Sequence, residues 1–188
     1  MDSAVTAQLV SRAKRGDHQA FAALVRQHER TALAVAYAAT GDAASAGDAT
    51  QEAFLRAWQR LAALKDDAKF PTWLCGVVRN VALDIRRRQQ RDGRLPGLAE
   101  SGAVGRENDG QQITDPAVEL ERRETRQRID DALWQLDEVA RTMVVLRYYE
   151  GLSSHAIAAL LVTTSTAVDM RLSRARQTLR TSLERVRT

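Results

Sequence analysis

At 188 residues, with 44% hydrophobic and 28% charged side chains and a net charge of +4, the chain has a soluble globular balance and room for one or two small domains. Its single cysteine, Cys75, lies in an apolar run, which excludes a disulfide framework and a CxxC metal pair and reads as a lone buried thiol. The N-terminal MDSAVTAQLVSRAKRGD has no signal-peptide apolar region and no stretch nears the ~18 apolar residues of a membrane span, so a cytoplasmic protein with no membrane span is expected.

In chain order, Thr6–Arg15 reads as a short helix with Leu9, Val10 and Ala13 apolar, ended by Gly16–Asp17. Asp17 can cap the next helix, which runs to about Ala39 with Phe21, Leu24, Val25, His28, Ala32 and Val35 on one stripe. His28 reads as a core-edge residue rather than a ligand. Tyr37 and the turn Thr40–Gly41–Asp42 close that helix, and Ala43–Asp48 leads into a third, Asp48–Leu61. There Ala53, Phe54, Ala57, Trp58 and Leu61 form a buried stripe, while Asp48, Gln51, Glu52, Arg56, Gln59 and Arg60 face water or a partner. Leu55 is apolar but off the stripe, as a docking contact would be. An ordinary amphipathic core helix has the same periodicity.

After the polar loop Lys65–Phe70, Pro71 suits the first turn of a fourth helix. Leu74, Val77, Val78, Val81 and Ile85 pack on one side of it, with Trp73 at the edge; Arg79, Asn80, Asp84, Arg87 and Arg88 occupy the other side and margins, and Arg86, Arg91 and Arg94 extend the charge. Gly93–Ala117 holds five of the ten Gly and two of the three Pro without hydrophobic period, the composition of a flexible linker. Helices resume over Val118–Leu136, with Ile129, Ala132, Leu133 and Leu136 on one face, and Glu138–Glu150. Gly151 stops the latter, Ser153 caps Ser154–Leu161, and Ile157 and Leu161 would pack on Val168 and Leu172 of a following helix, a helix-turn-helix pattern. The 25 Arg against 3 Lys suit phosphate and guanine, although a GC-rich genome gives the same excess; their clustering on the fourth and last helices favours nucleic acid.

Two runs carry a resemblance. DATQEAF followed by FPTWLCGVVRNVALDIRR is similar to the second conserved region of bacterial sigma factors, in particular the small extracytoplasmic-function group, with its DxxQExF and FxTWLxxxxxNxxxDxxRR patterns. GLSSHAIAALLVTTSTAVDMRLSRARQTL resembles their fourth region, with the frame VxxRLxRARxxL intact from Val168 to Leu179. The departures are Gly47 where an acidic residue commonly precedes Asp48, Ala156 in place of a usual Glu, Val162 and Thr166 at two usual glycines, and Asp169 at a position often basic or polar.

The resemblance implies an all-α fold of two small helical domains: region 2 over 1–92, a linker over 93–117 that threads near the polymerase active centre, and region 4 over 118–188. It implies binding of core RNA polymerase, at its clamp and flap, and of promoter DNA; an anti-sigma factor is a further candidate partner. Core docking would fall to Asp48, Gln51, Glu52, Leu55 and Arg56. Melting and reading the minus-ten element would fall to Lys69, Phe70, Trp73, Arg79, Asn80, Asp84, Arg87 and Arg88. The minus-thirty-five element would be read by Thr166, Asp169, Met170, Arg171, Ser173, Arg174, Arg176 and Gln177. Asp169 has two readings: a base contact to a cytosine amine, or an orienting bond to Ser173 or Arg176. A stand-alone helix-turn-helix regulator is the alternative, and the docking helix argues against it. GxxxxGK[ST], HExxH, GxSxG and GxGxxG are all missing from the sequence, so no enzyme and no cofactor are expected.

Overall fold

Short polar residues set the helix starts. The Asp17 carboxylate accepts from Ala20 N at 3.0 Å, Asp42 from Ser45 N at 2.7 Å, Asp137 from Ala140 N at 2.8 Å, and the Ser153 hydroxyl from Ala156 N at 3.2 Å. Each satisfies an amide that the first helical turn leaves without a partner. The computed structural model describes residues 3–92 and 116–185, and among these every regular element is helical. The elements are α1 (Ser3–Lys14), α2 (His18–Thr40), α3 (Ala43–Arg60), α4 (Phe70–Arg91), α5 (Pro116–Trp134), α6 (Glu138–Tyr148), α7 (Ser154–Leu161) and α8 (Ser165–Arg185). Two 3-10 turns, Leu61–Ala63 and Asp67–Lys69, join α3 to α4.

Several boundaries differ from the sequence reading: α1 begins at Ser3 rather than Thr6, α5 ends at Trp134 rather than Leu136, and α6 ends at Tyr148 rather than Glu150. Asp42 caps α3, so the helix includes the whole Ala43–Asp48 lead-in despite Gly47. The C-terminal half begins at Pro116, whose fixed φ suits a first helical position, two residues before the expected start. The expected linker otherwise lies outside the described residues.

The first four helices share a core in which Val10, Leu24, Val35, Phe70, Leu74, Val78 and Val81 are sealed. Ala46, Ala49, Ala53 and Ala57 put only methyl groups on the inner face of α3 and are 0% exposed, so α3 can lie close against α2 and α4. In the second half, Ile157 of α7 and Val168 and Leu172 of α8 are all buried in the core. The axes of α7 and α8 turn by 105°, the crossing of a helix-turn-helix. No single helix among the described residues is long and apolar enough to cross a membrane.

The turn itself is strained. Val162 caps α7 at φ 54° with its side chain 93% exposed, a left-handed conformation that a β-branched residue adopts poorly. Val162→Gly is expected to raise stability by about 1 kcal/mol, since relief of roughly 1–2 kcal/mol of strain outweighs the extra entropy of glycine. Denaturant unfolding of the two proteins checks it; a less stable glycine variant would show that the turn carries no strain.

The two halves meet at the end of α2. Its last carbonyls each accept a bond: Ala36 O from Thr40 Oγ1 at 3.0 Å, Tyr37 O from Gly41 N at 2.9 Å, Ala38 O from Arg141 Nε at 2.8 Å and Ala39 O from Arg86 Nη1 at 3.1 Å. Arg141 belongs to α6, so one of the four donors comes from the far half of the chain.

Candidate polymerase and nucleic-acid interface

Packing the alanine face of α3 inward turns its other face out. Asp48, Gln51, Glu52, Leu55 and Arg56 line one open groove with Val81, Asp84, Ile85 and Arg88 of α4. Leu55 is 54% exposed, as its position off the stripe implies. Charges alternate across the groove: Arg56 lies 2.7 Å from Glu52 and 4.0 Å from Asp84, and Asp84 lies 3.3 Å from Arg87. The structure thus joins the expected docking residues to part of the expected minus-ten set.

The rest of that minus-ten set divides. Trp73, Asn80, Asp84, Arg87 and Arg88 fall on one side of α4 at about 100° per residue. Asn80, Arg87 and Arg88 are exposed and Trp73 is half-buried. Lys69 is exposed, with Nζ 3.6 Å from Asp66. Phe70 does not belong with them: it is 0% exposed, its ring 5.6 Å from His28 and 5.9 Å from Trp73. It opens α4 on the inward side, where its ring fills the core and has no surface to offer a base. Arg79 lies on another side of the helix, with Nη2 3.3 Å from Glu138 of α6.

On α8, Val168, Leu172 and Ala175 are buried, while all eight residues expected at the minus-thirty-five element are exposed. Arg171 lies 4.0 Å from Asp137. Asp169 accepts from the Ser154 hydroxyl at 2.5 Å. Its partner is therefore on α7, rather than Ser173 or Arg176, and it ties the two helices of the motif together.

Buried titratable groups do not form a reactive centre. Cys75 is 3% exposed and burial pushes its thiol well up. Among the described residues no cluster of His, Cys, Asp or Glu could hold a metal ion. His28 is 3% exposed and its Nε2 has no partner. Desolvation pushes its pKa below the usual 6.5, opposed by Glu150. The unfolded chain therefore takes up this proton at higher pH than the folded one. The stability it contributes is present above about pH 6.5 and is lost as pH falls, by up to about 1.4 kcal/mol per pH unit. His28→Gln is expected to flatten the unfolding free energy between about pH 5 and 6.5 relative to the parent; parallel curves would mean that His28 does not titrate there.

The sequence reading missed Arg141 and Trp134, and read Tyr37 only as the close of its helix, not as a partner of Trp134. Arg141 is 5% exposed, with its guanidinium 3.7 Å from the Trp134 ring centroid, and Trp134 Nε1 donates to Tyr37 Oη at 3.4 Å. Burial, with Arg86 nearby, lowers its pKa to about 10, so it stays cationic at neutral pH. Arg141 and Trp134 each reach partners about a hundred residues away, beyond any periodic signal.

The model for sigma-70 region 2 matches residues 24–92, and that for sigma-70 region 4 matches 126–179. The RNA polymerase sigma-H factor of Pseudomonas aeruginosa is 32% identical over 94% of this chain and 93% of its own length. The ECF RNA polymerase sigma-E factor of Escherichia coli K12 is 33% identical over 91% and 90%. The probable RNA polymerase sigma factor RfaY of Xanthomonas campestris is 38% identical over 91% of this chain, which spans only 42% of that protein. Among solved structures, CnrH in complex with the cytosolic domain of CnrY superposes with a TM-score of 0.68 at 25% identity, covering 96% of this chain and 97% of that one. The fold also matches the sigma factor RpoE, in complex with the anti-sigma factor NepR from Bartonella quintana, at a TM-score of 0.66 and 20% identity over 87% and 96%. With two family models matched in order along a helical chain that ends in a helix-turn-helix, the chain belongs to the extracytoplasmic-function group of the sigma-70 family, RNA polymerase sigma factors that direct transcription initiation.

Proposed function

We propose that residues 1–92 dock on the clamp of core RNA polymerase through the groove between α3 and α4 and hold the melted minus-ten element along the exposed side of α4. Residues 118–188 engage the flap and read duplex minus-thirty-five DNA with α8. The chain supplies placement and no bond chemistry; catalysis belongs to the polymerase. The observation that carries this reading is the groove, where five residues of the docking motif share one open, charge-alternating surface with the basic side of α4. Arginines there hold phosphates, and Trp73 offers a partly open ring for an unstacked base.

An anti-sigma protein is a proposed partner, supported by the fold shared with the sigma factor RpoE, which was solved with the anti-sigma factor NepR. The decisive experiment is run-off transcription from the region upstream of the factor's own gene. Transcripts are expected only when core polymerase and the factor are both present. A gel shift of that DNA by the factor alone, equal to the shift with core, would favour a stand-alone regulator.

A further inference from the structure

Two serines open α7, and their hydroxyls have different tasks. Ser153 accepts from Ala156 N at 3.2 Å and caps the helix. Ser154, half-buried at the first helical position, donates across the turn to Asp169 Oδ1 at 2.5 Å. Asp169 stands one residue past the sealed Val168 of α8 and is itself exposed. At about 100° per residue it shares a side with Thr166, Met170 and Ser173, all exposed, and is the one charge among the four. Neighbouring arginines do not neutralise it: Arg171 pairs with Asp137, and Arg180 with Glu184.

The N-terminal residues of the second helix are those that reach base edges in a helix-turn-helix. A carboxylate there repels the phosphates, a cost that an uncharged residue would avoid. Two physical details say what it gains in return. First, Ser154 takes up Oδ1 while the partly positive start of α7 favours the charge, which holds the side chain in one setting and leaves Oδ2 free among the described residues. Second, an ionised carboxylate is an acceptor only. In the major groove guanine and thymine present acceptors that would repel it, and adenine presents an acceptor beside its amine. Cytosine presents the amine alone.

We propose that Ser154 is a positioning residue for promoter recognition: its hydroxyl holds Asp169 so that Oδ2 accepts from the N4 amine of a cytosine in the minus-thirty-five element. The bond between Ser154 and Asp169 depends only on this chain; its consequence for DNA rests on the function proposed above.

The test is selection, by the factor assembled with core polymerase, from duplexes randomised over the minus-thirty-five element. The parent is expected to favour cytosine at one position by about fivefold or more. Asp169→Ala should flatten that position and leave the others as they are. Asp169→Asn keeps an acceptor for Ser154 and adds a donor, so its preference there should move toward adenine. Ser154→Ala should lower the cytosine preference by about twofold or more, the least expected from losing one hydrogen bond, and Ser154→Thr should restore it. Ser154→Ala that weakens all duplexes equally and keeps the cytosine preference overturns the positioning role, because a mere brace between helices would behave so. Unchanged base preferences in Asp169→Ala overturn the cytosine contact. If the parent selects a sequence in which no position depends on Asp169, only this inference falls; if it selects no sequence at all, the function proposed above falls with it.

Discussion

Replacing Asp48, Gln51 and Glu52 together by Ala is expected to lower affinity for core RNA polymerase by about 30-fold to several-thousand-fold, with helical content unchanged. The range follows from the roughly 2–5 kcal/mol lost when one side of a charged interface contact is truncated. The fold should be spared because Asp48 and Gln51 are exposed and all three project from the side of α3 opposite the alanines that hold it in place. Glu52 gives up its 2.7 Å contact with Arg56, whose side chain is 31% exposed, and a partly open pair of this kind contributes little. Circular dichroism checks the first half of the claim and titration of labelled factor with core checks the second. Unchanged affinity would remove the α3 face from the interface.

Phe70→Ala is expected to destabilise the protein by about 3–5 kcal/mol, the usual loss for a buried ring that leaves a cavity. The site has little means of closing: the ring is 0% exposed within the core cluster, with the His28 and Trp73 rings at its edges. Trp73→Ala should be milder in stability, because that ring is already half-open, and stronger in promoter melting for a given amount of folded protein. Chemical denaturation and a fluorescence assay of strand opening separate the two effects. If Phe70→Ala stayed fully stable yet failed to melt DNA, the ring would have to reach solvent in the working complex.

The helices and their ends were legible because their causes are local. Asp17, Gly41 and Ser153 each act on a group within four residues, and such signals survive in a linear reading. The outward face of α8 was legible too, since Val168, Leu172 and Ala175 fix which side is buried. Phe70 was not, because its place in a nucleic-acid motif and its apolar volume point opposite ways, and only packing shows which prevails. Asp169 was half-legible: a local hydrogen bond was open to inference, but the partner in the free chain, Ser154, lies across a turn whose angle the sequence does not state. Arg141 was illegible, since a basic residue in a short amphipathic helix reads as surface until α2 is brought to it.

The sealing of Cys75 bears on how this factor can receive news of its surroundings. Oxidants attack the thiolate, and burial holds this sulfur in the thiol form with 3% of its surface exposed. With no second cysteine in the chain, no internal disulfide can form either. A glutathione imbalance thus finds no thiol handle on the folded chain, and a stimulus carried by thiol chemistry would have to be sensed by another molecule and relayed through contact with this one.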